Sequence, residues 1–220
     1  TWSLLCDGSE AFERTLFTTS ICFDLSVYEV FVPLSSGGSV VIQKDAMAIS
    51  GQFASMLNTV PSVAAALMDA GRNICEIARL NLAGEPLGRK LVEEIWKCSQ
   101  IDEVSNLYGP TETTTYSTFV KMSKRSGFID GIGRPISNTK VYVLDPGMQP
   151  VPVGVCGELY IGGAGVARGY LNRPYLSAER FLDGESLGLE PGRVYKTGDT
   201  VRFEQNGVLS YIGRADSQVK

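Results

Sequence analysis

The alternation of strand-like and helical periodicity along the first 130 residues is the feature that most constrains the fold. Residues 15–23 have the pattern of a strand, 24–34 that of a short helix, 35–38 form a Ser-Ser-Gly-Gly turn and 39–42 a buried strand. A strand, a helix and a second strand in this order make a β-α-β pattern. The pattern predicts an α/β fold with a layered sheet.

The same alternation continues downstream. Helical periodicity is present at 51–57, at 61–70 with a proline at its start, and at 87–98. Residues 80–83 and 103–107 are short apolar strands between and after these helices. The layered α/β sheet is therefore expected to extend through residue 107.

From about Gly131 the pattern changes. Short strands separated by proline and glycine turns replace the helices. This part of the chain is predicted to be a small β-rich unit. Its predicted strands are residues 140–144, 157–161, 193–195, 200–204 and 208–212.

Composition narrows the function classes. Charged residues make up 20% of the 220 residues, the formal net charge is -4, and no block of basic residues is present. These values argue against a nucleic-acid partner and against an anionic membrane surface. No apolar run of about 18 residues occurs, so the sequence predicts no membrane span.

The complete absence of histidine excludes Ser-His-Asp catalysis and most imidazole metal sites in this chain. Chemistry must then depend on carboxylates, hydroxyls, Lys or Arg, backbone dipoles or a metal.

The five cysteines are scattered and form no Cys-x-x-Cys pair. They argue against a disulfide framework or a zinc site and favour a cytoplasmic location.

The segment 106–112, Asn-Leu-Tyr-Gly-Pro-Thr-Glu, puts a ring, a turn, a hydroxyl and a carboxylate within seven residues. Tyr108 offers a face for a base, Thr111 can hydrogen-bond a phosphate oxygen, and Glu112 is a hard ligand suited to Mg²⁺. The alternative is an ordinary loop after a strand.

Two later segments contain similar chemistry. Asp199, after Gly198, can accept hydrogen bonds from two adjacent hydroxyls such as those of a ribose. Arg214 can reach phosphate or ribose oxygens. The alternatives are a β-turn aspartate and a solvated chain end.

Two further features have a structural explanation beside a functional one. The glycine-rich run 162–169 is followed by no Gly-Lys-Ser/Thr and is predicted to be a turn. Asp24 follows an apolar stretch, where a carboxylate either meets a cation or caps the next helix, and both interpretations are open.

Six strings in fixed order resemble the adenylation domains of non-ribosomal peptide synthetases, in the superfamily of adenylate-forming enzymes. The resemblance covers essentially the whole chain and implies a large adenylation subdomain, with an α/β portion followed by a β-rich, barrel-like portion. The strings are FDLS (23–26), LAGEPL (82–87), NLYGPTE (106–112), the run from 157 to 181, YKTGD (195–199) and GRADSQVK (213–220).

The resemblance implies a role for each matching residue. Tyr108 would stack on adenine, Asp199 would bind both ribose hydroxyls, and Glu112 would hold Mg²⁺. The implied catalytic residues are Thr111, Glu112 and Arg214. The implied ATP-binding residues are Gly84, Glu85, Asn106, Tyr108, Gly109, Thr111, Asp199, Tyr211 and Arg214.

The resemblance also implies an amino-acid pocket. Asp24 would pair with the substrate ammonium, which would compensate the cost of its burial. Large lining residues favour a small substrate, glycine or alanine. The implied lining residues are Asp24, Leu25, Tyr28, Asn58, Asn81, Ala83, Leu107, Thr115 and Tyr116.

In the implied reaction an amino-acid carboxylate attacks the α-phosphate of ATP, giving an aminoacyl-adenylate and releasing pyrophosphate. The aminoacyl group would then pass to a phosphopantetheine thiol on a peptidyl carrier domain, beside neighbouring synthetase domains.

The predicted organisation is an α/β part at residues 1–130, a β-rich part at 131–212 and a hinge at 213–220 that contains Asp216. The family's phosphate loop and catalytic lysine are expected outside this chain, so we expect residues 1–220 alone to form no adenylate.

Two alternatives compete with this interpretation. An acyl- or aryl-CoA ligase of the same superfamily would share most strings but would not need an acid at position 24. A non-catalytic β-rich binding domain would use none of the nucleotide residues.

Overall fold

The computed structural model describes residues 12–49, 51, 53–71, 74–97 and 101–215, which form two units. The first contains the described residues of Thr1–Leu107 together with Val120–Asp130. The second contains Tyr108–Phe119 and the described residues from Gly131 onward. The three-part division predicted from the sequence stays a prediction.

Parallel strands form most of the sheet of the first unit. The strand order is β2-β1-β3-β4-β5-β6, and β1 to β5 pair in parallel. The strands are β1 Arg14–Phe17, β2 Ser39–Ile42, β3 Ala54–Thr59, β4 Ile77–Ala83, β5 Glu103–Tyr108 and β6 Thr118–Ser123; the helices are α1 Leu25–Ser35, α2 Pro61–Asp69 and α3 Arg89–Lys97. Short 3-10 helices occupy Ala46–Ala48 and Ile74–Glu76.

Apolar side chains on the strands meet those of α2 and α3 in the core of this unit. Leu57, Leu80 and Val104 from three adjacent strands are 0 to 1% exposed. They pack in one cluster with Leu67 of α2 and Ile95 of α3. Burial of these strands under helices is what the alternating pattern predicted.

One predicted helix is wrong. The helical periodicity assigned to residues 51–57 corresponds instead to β3, in which all six residues are buried. A central parallel strand that is covered on both faces has no polar side, so its sequence lacks the alternation that identifies a strand.

Antiparallel strands dominate the second unit. Their order is β10-β11-β9-β8, with β12 paired to β11, and β7 pairs with Thr118 and Phe119 of β6. The strands are β7 Arg134–Pro135, β8 Thr139–Leu144, β9 Cys156–Gly163, β10 Phe181–Asp183, β11 Arg193–Phe203 and β12 Leu209–Arg214; the helix is α4 Pro174–Arg180, and 3-10 turns occupy Thr111–Thr113 and Glu185–Leu187.

The strands predicted at 193–195 and 200–204 are one strand, β11. Its pairing with β9 shifts between Lys196 and Thr200, and Gly198 there has a φ of +76°. The irregular pairing interrupts the sequence pattern, which is why the prediction divided the strand.

The strand predicted at 15–23 is also too long, because β1 ends at Phe17. Residues 39–42, predicted as a buried strand, form the edge strand β2, in which no residue is buried. The fold class, an α/β sheet followed by a β-rich portion, is confirmed. In the described residues no helix is long and apolar enough to cross a membrane.

Candidate functional site

Predicted site residues of the first unit lie at the carboxyl ends of its parallel strands. Asn58 near the end of β3 pairs with Asn81 of β4, and Ala83 at the end of β4 pairs with Leu107 of β5. Ligands of open α/β sheets bind at this edge. The strand register therefore brings together four residues that the sequence assigned to the amino-acid pocket.

A buried amide pair links two of these residues. The Asn81 Nδ2 donates to Asn58 Oδ1 at 2.8 Å and approaches the Met56 sulfur at 3.1 Å. The side chains of Asn58 and Asn81 are 0% and 5% exposed. The hydroxyl of Tyr28, which is 2% exposed, lies 3.9 Å from the same sulfur. Hydrogen bonding within the pair offsets part of the cost of burying the two amides.

Asp24 directly precedes α1, and its side chain does not cap the helix. The backbone there is already helical, with φ of −61° and ψ of −26°. The Oδ2 atom is buried and has no hydrogen-bond partner among the described residues. Leu25, the next residue, is half-buried. The structure therefore excludes the interpretation of Asp24 as a helix N-cap. The other interpretation, that its carboxylate pairs with a cation, stays a prediction.

Glu29 of α1 is a buried carboxylate that the sequence analysis missed. It is 0% exposed and accepts hydrogen bonds from the Thr18 amide at 3.2 Å, the Thr19 amide at 3.1 Å and the Thr19 hydroxyl at 3.0 Å. Burial raises its pKa to about 7, although the threonine hydrogen bonds act in the opposite direction. Glu29 thus ties the segment after β1 to the helix that follows Asp24. A single acid within an otherwise apolar helical stretch was the available signal.

We expect Glu29 to make local stability depend on pH. Its ordinary pKa is 4.5 and its folded pKa is about 7, so between these values the folded state binds more protons than the unfolded state. The free energy of unfolding therefore falls as the pH rises through this window, by up to about 3 kcal/mol. Hydrogen exchange of residues 14–35 in the intact protein, corrected for intrinsic rates, measures the effect.

The matched variants are Glu29→Gln, which cannot ionise, and Glu93→Gln, which changes a side chain that is 53% exposed on α3. The loss of protection between pH 5 and pH 7 should disappear in the first variant and persist in the second. An unchanged pH dependence in Glu29→Gln would contradict the assignment.

Glu85 is held at the start of α2. Its two carboxylate oxygens accept hydrogen bonds from the Ser62 amide at 2.9 Å and the Ser62 hydroxyl at 2.8 Å. A carboxylate at a helix N-terminus is favoured by the helix dipole. Gly84 beside it is exposed with φ of +82°, and Asn106 is 9% exposed in β5, paired with Leu82.

In the second unit, the loop after Tyr108 turns back on itself. The Ser117 amide donates to the Tyr108 carbonyl at 2.8 Å. A Cβ at Gly109 would lie 2.6 Å from the Thr115 carbonyl oxygen and 2.7 Å from the Ser117 nitrogen. Only glycine permits this approach of two backbone segments.

The variant Gly109→Ala should therefore distort the loop and lower the free energy of unfolding by about 1–3 kcal/mol. Gly213→Ala is the control in the same unit, because a Cβ there meets nothing within 4 Å. Chemical denaturation followed by circular dichroism measures both. Equal destabilisation by the two substitutions would contradict the close-packed loop.

The residues of this loop differ in exposure. Thr111 is exposed and Glu112 half-buried, whereas Thr115 and Tyr116 are 7% and 3% exposed. Thr114 and Thr115 both have positive φ, at 66° and 63°. β-branched residues in this conformation are strained, and such strain concentrates at functional sites.

A buried carboxylate, that of Asp199, is the centre of the second unit's site. It is 3% exposed. The Tyr108 hydroxyl donates to its Oδ2, and the Arg214 guanidinium lies 3.1 Å from its Oδ1. Burial and the neighbouring Asp199 charge raise the pKa of Tyr108 well above its usual value. The structure brings together three predicted nucleotide-binding residues that are distant in sequence.

Neighbouring groups fix the backbone that carries Asp199. The Asp199 amide donates to the Thr197 hydroxyl at 2.9 Å. The Gly198 amide donates to Glu158 Oε1 at 3.2 Å, while Lys196 approaches the other Glu158 oxygen at 3.7 Å. No sequence motif predicted this role for Glu158.

The ring of Tyr108 is largely covered. It is 7% exposed and belongs to a cluster with Val143, Leu159 and Leu209. Tyr211 is half-buried against the same cluster. Stacking of Tyr108 on adenine stays a prediction.

Glu112, the predicted metal ligand, accepts a hydrogen bond from the Tyr170 hydroxyl at 2.6 Å. The described residues contain no group of three or more His, Cys, Asp or Glu side chains that could hold a metal ion. Mg²⁺ that accompanies a nucleotide usually takes one or two carboxylates and completes its shell with phosphates and water. A single Glu112 therefore fits a nucleotide-borne Mg²⁺ but not a protein-only metal site.

The glycine-rich run lies against this loop. The Ala167 amide donates to the Glu112 carbonyl at 2.8 Å, and the Thr114 hydroxyl donates to the Gly165 carbonyl at 2.7 Å. A Cβ at Gly165 would lie 2.6 Å from the Thr113 carbonyl oxygen. The first two residues of the run end β9, and the predicted turn follows them. This turn also supports the Glu112 loop. The predicted hinge residue, Asp216, lies outside the described residues.

Comparison with known proteins identifies a matching family and similar synthetases. The profile of a family described as AMP-binding enzyme matches residues 3–171. The chain is 45% identical to one of the linear gramicidin synthase subunits of Brevibacillus parabrevis over 223 residues, which cover 100% of this chain and 4% of that protein. It is 45% identical to AMB antimetabolite synthetase AmbB of Pseudomonas aeruginosa, covering 97% of this chain and 17% of the relative. The chain therefore spans only a small part of these relatives.

Two solved structures are similar to this fold. One is a four-domain nonribosomal peptide synthetase bound to AMP and glycine, with a TM-score of 0.82 and 33% identity over 96% of this chain and 16% of the other. The second is the Vibrio cholerae adenylation domain AlmE in complex with glycyl-adenosine-5'-phosphate, with a TM-score of 0.81 and 28% identity over 94% of this chain and 41% of the other.

Proposed function

Because the chain belongs to the AMP-binding enzyme family and is similar to adenylation domains of non-ribosomal peptide synthetases, we propose that it activates a small amino acid as an aminoacyl-adenylate. The observation that supports this proposal most is the Asp199 cluster, where Tyr108 and Arg214 hold one buried carboxylate. A carboxylate so fixed is suited to bind the adjacent hydroxyls of a ribose.

The hydrogen-bond capacity of Asp199 is compatible with that role. Each carboxylate oxygen has two lone pairs, so the bonds from Tyr108 and Arg214 leave an acceptor site on each oxygen. A ribose offers two neighbouring hydroxyl donors. Arg214, which lies 3.1 Å from Asp199, supplies a positive charge beside them.

For the phosphates, we propose that Thr111 donates its hydroxyl and that Glu112 holds Mg²⁺. Bound Mg²⁺ would neutralise phosphate charge, so that two anions, the amino-acid carboxylate and ATP, can react. Thr111 is exposed and so accessible to a ligand. Catalysis by positioning and charge neutralisation needs no histidine.

For the amino acid, we propose that Asp24 binds the substrate ammonium. Its Oδ2 is buried and lacks a hydrogen-bond partner among the described residues, and a cation that arrives with the ligand would supply one. Tyr28 and Leu107, two proposed lining residues, are large and buried, which favours glycine or alanine. The two structural neighbours bind glycine with AMP and glycyl-adenosine-5'-phosphate, which adds support for glycine.

The proposal extends to the partners. Transfer of the aminoacyl group to the phosphopantetheine thiol of a carrier domain would follow adenylation, in the cytoplasm and beside other synthetase domains. The synthetase relatives are far longer than this chain, which leaves room for such domains. That residues 1–220 alone form no adenylate also stays a prediction.

Amino-acid-dependent ATP–pyrophosphate exchange by the intact protein tests the proposal. We expect glycine or alanine to give the highest exchange and phenylalanine and leucine the lowest, because a few methylenes change binding by about 1–3 kcal/mol when space is short. A preference for phenylalanine or leucine would contradict the small pocket.

The Asp24→Ala variant separates amino-acid activation from acyl- or aryl-CoA ligation. It should lose amino-acid-dependent exchange while ATP binding, measured by calorimetry, is retained. Asp130→Ala, at an exposed position of the same unit, is the control and should behave as the unmodified protein. Full exchange in Asp24→Ala would favour the ligase alternative.

A further inference from the structure

Glu112 is attached to one segment of the second unit at two points, one on its side chain and one on its backbone. The Tyr170 hydroxyl donates to Glu112 Oε1 at 2.6 Å, and the Ala167 amide donates to the Glu112 carbonyl at 2.8 Å. Both the side chain and the backbone of Glu112 are therefore tied to residues 167–170. None of the sequence motifs assigned a role to Tyr170.

Tyr170 is itself held in place. Its amide donates to the Ser177 hydroxyl of α4 at 2.8 Å. Its ring packs edge-on against Phe181, with centroids 5.2 Å apart, and Phe181 packs against Tyr195 at 5.1 Å. The Tyr195 hydroxyl lies 3.4 Å from the Tyr170 hydroxyl. The donor that meets Glu112 therefore belongs to a packed aromatic group and has few other positions to occupy.

Tyr170 contacts Glu112 in the way that a hydrogen-bond donor contacts a carboxylate that ligates a metal. A carboxylate has about four lone-pair sites, so one hydrogen bond from Tyr170 leaves acceptor capacity for a cation. Carboxylates that ligate metals are commonly hydrogen-bonded by such outer partners, which fix their orientation. Asp199, a buried carboxylate of the same unit, is bonded instead to Tyr108 and Arg214.

We propose that Tyr170 is a positioning residue that orients Glu112 for the divalent cation brought by the nucleotide. The inference rests on the proposed function, because it takes Glu112 as the metal ligand. Tyr170 is assigned no contact with the substrate or the reacting atoms. It acts through Glu112, and the Phe181 and Tyr195 rings fix its hydroxyl.

Mn²⁺ titration of the intact protein tests the proposal without any turnover. Mn²⁺ replaces Mg²⁺, α,β-methylene-ATP replaces ATP, and the electron paramagnetic resonance signal of the free ion reports binding. The Tyr170→Phe variant keeps the ring and removes only the hydroxyl. We expect its dissociation constant for Mn²⁺ to rise by about 10-fold or more.

Tyr175→Phe is the matched control, because Tyr175 lies on α4 and is 91% exposed. It should bind Mn²⁺ as the unmodified protein does. Binding of AMP without metal should be equal in all three proteins, since a merely structural defect would weaken it as well. Tyr195→Phe, which removes the 3.4 Å neighbour, should weaken Mn²⁺ binding by a smaller factor and serves as the second variant if Tyr170→Phe is unstable.

Glu112→Gln separates the positioning role from the proposed function. It should weaken Mn²⁺ binding at least as much as Tyr170→Phe, and Tyr170→Phe in that background should add nothing. Normal Mn²⁺ binding in Tyr170→Phe alongside weakened binding in Glu112→Gln would overturn the positioning role and leave the proposed function standing. Normal binding in Glu112→Gln would overturn both.

Discussion

The second unit depends on the compensation of one buried negative charge, that of Asp199. A carboxylate that is 3% exposed is costly to bury unless donors and a cation surround it. Tyr108, at the end of β5, and Arg214, at the end of β12, provide them. Removal of either partner would leave a charge buried with less compensation. The three side chains therefore constrain how the loop after β5 and the last two strands of this unit meet.

Four carboxylates illustrate how a chain without histidine can vary its acid chemistry. Glu29 is fully buried among threonine donors, and burial raises its pKa to about 7. Asp199 is paired with a guanidinium, and Glu112 accepts a hydrogen bond from a tyrosine hydroxyl. Asp24 retains a buried oxygen without a partner in the described part of the chain. The environment of Glu29 suits a structural tie. The other three are compatible with the proposed roles of Asp199 as a hydroxyl acceptor, Glu112 as a cation ligand and Asp24 as an ammonium partner.

The fold was largely predictable because its local signals agree with its tertiary structure. The β-α-β pattern, the proline at the start of α2 and the glycine-rich turns all specify the elements observed. The prediction failed at β3, where burial on both faces removes the alternating pattern, and at β11, where irregular pairing divides one strand into two apparent ones.

The site was predictable in part, because hydroxyl, ring and carboxylate lie close together in the segment 106–112. The partnership of Tyr108 with Asp199 was not, since 91 residues separate them. Glu29, Glu158 and Tyr170 were also missed. Each acts through hydrogen bonds to other segments. For Glu158 and Tyr170 the sequence contains no local signal of these contacts, whereas for Glu29 the isolated acid in an apolar helical stretch was a signal that was not used.

The relative affinity of the intact protein for ATP and 2′-deoxy-ATP shows whether Asp199 binds the hydroxyls of a ribose. If Asp199 binds the ribose hydroxyls, the unmodified protein should prefer ATP by about 10-fold or more, as expected for a hydrogen bond to a charged group. In Asp199→Asn, with folding checked by circular dichroism, the preference should fall close to one. A variant that keeps the full preference for ATP would contradict ribose binding by Asp199.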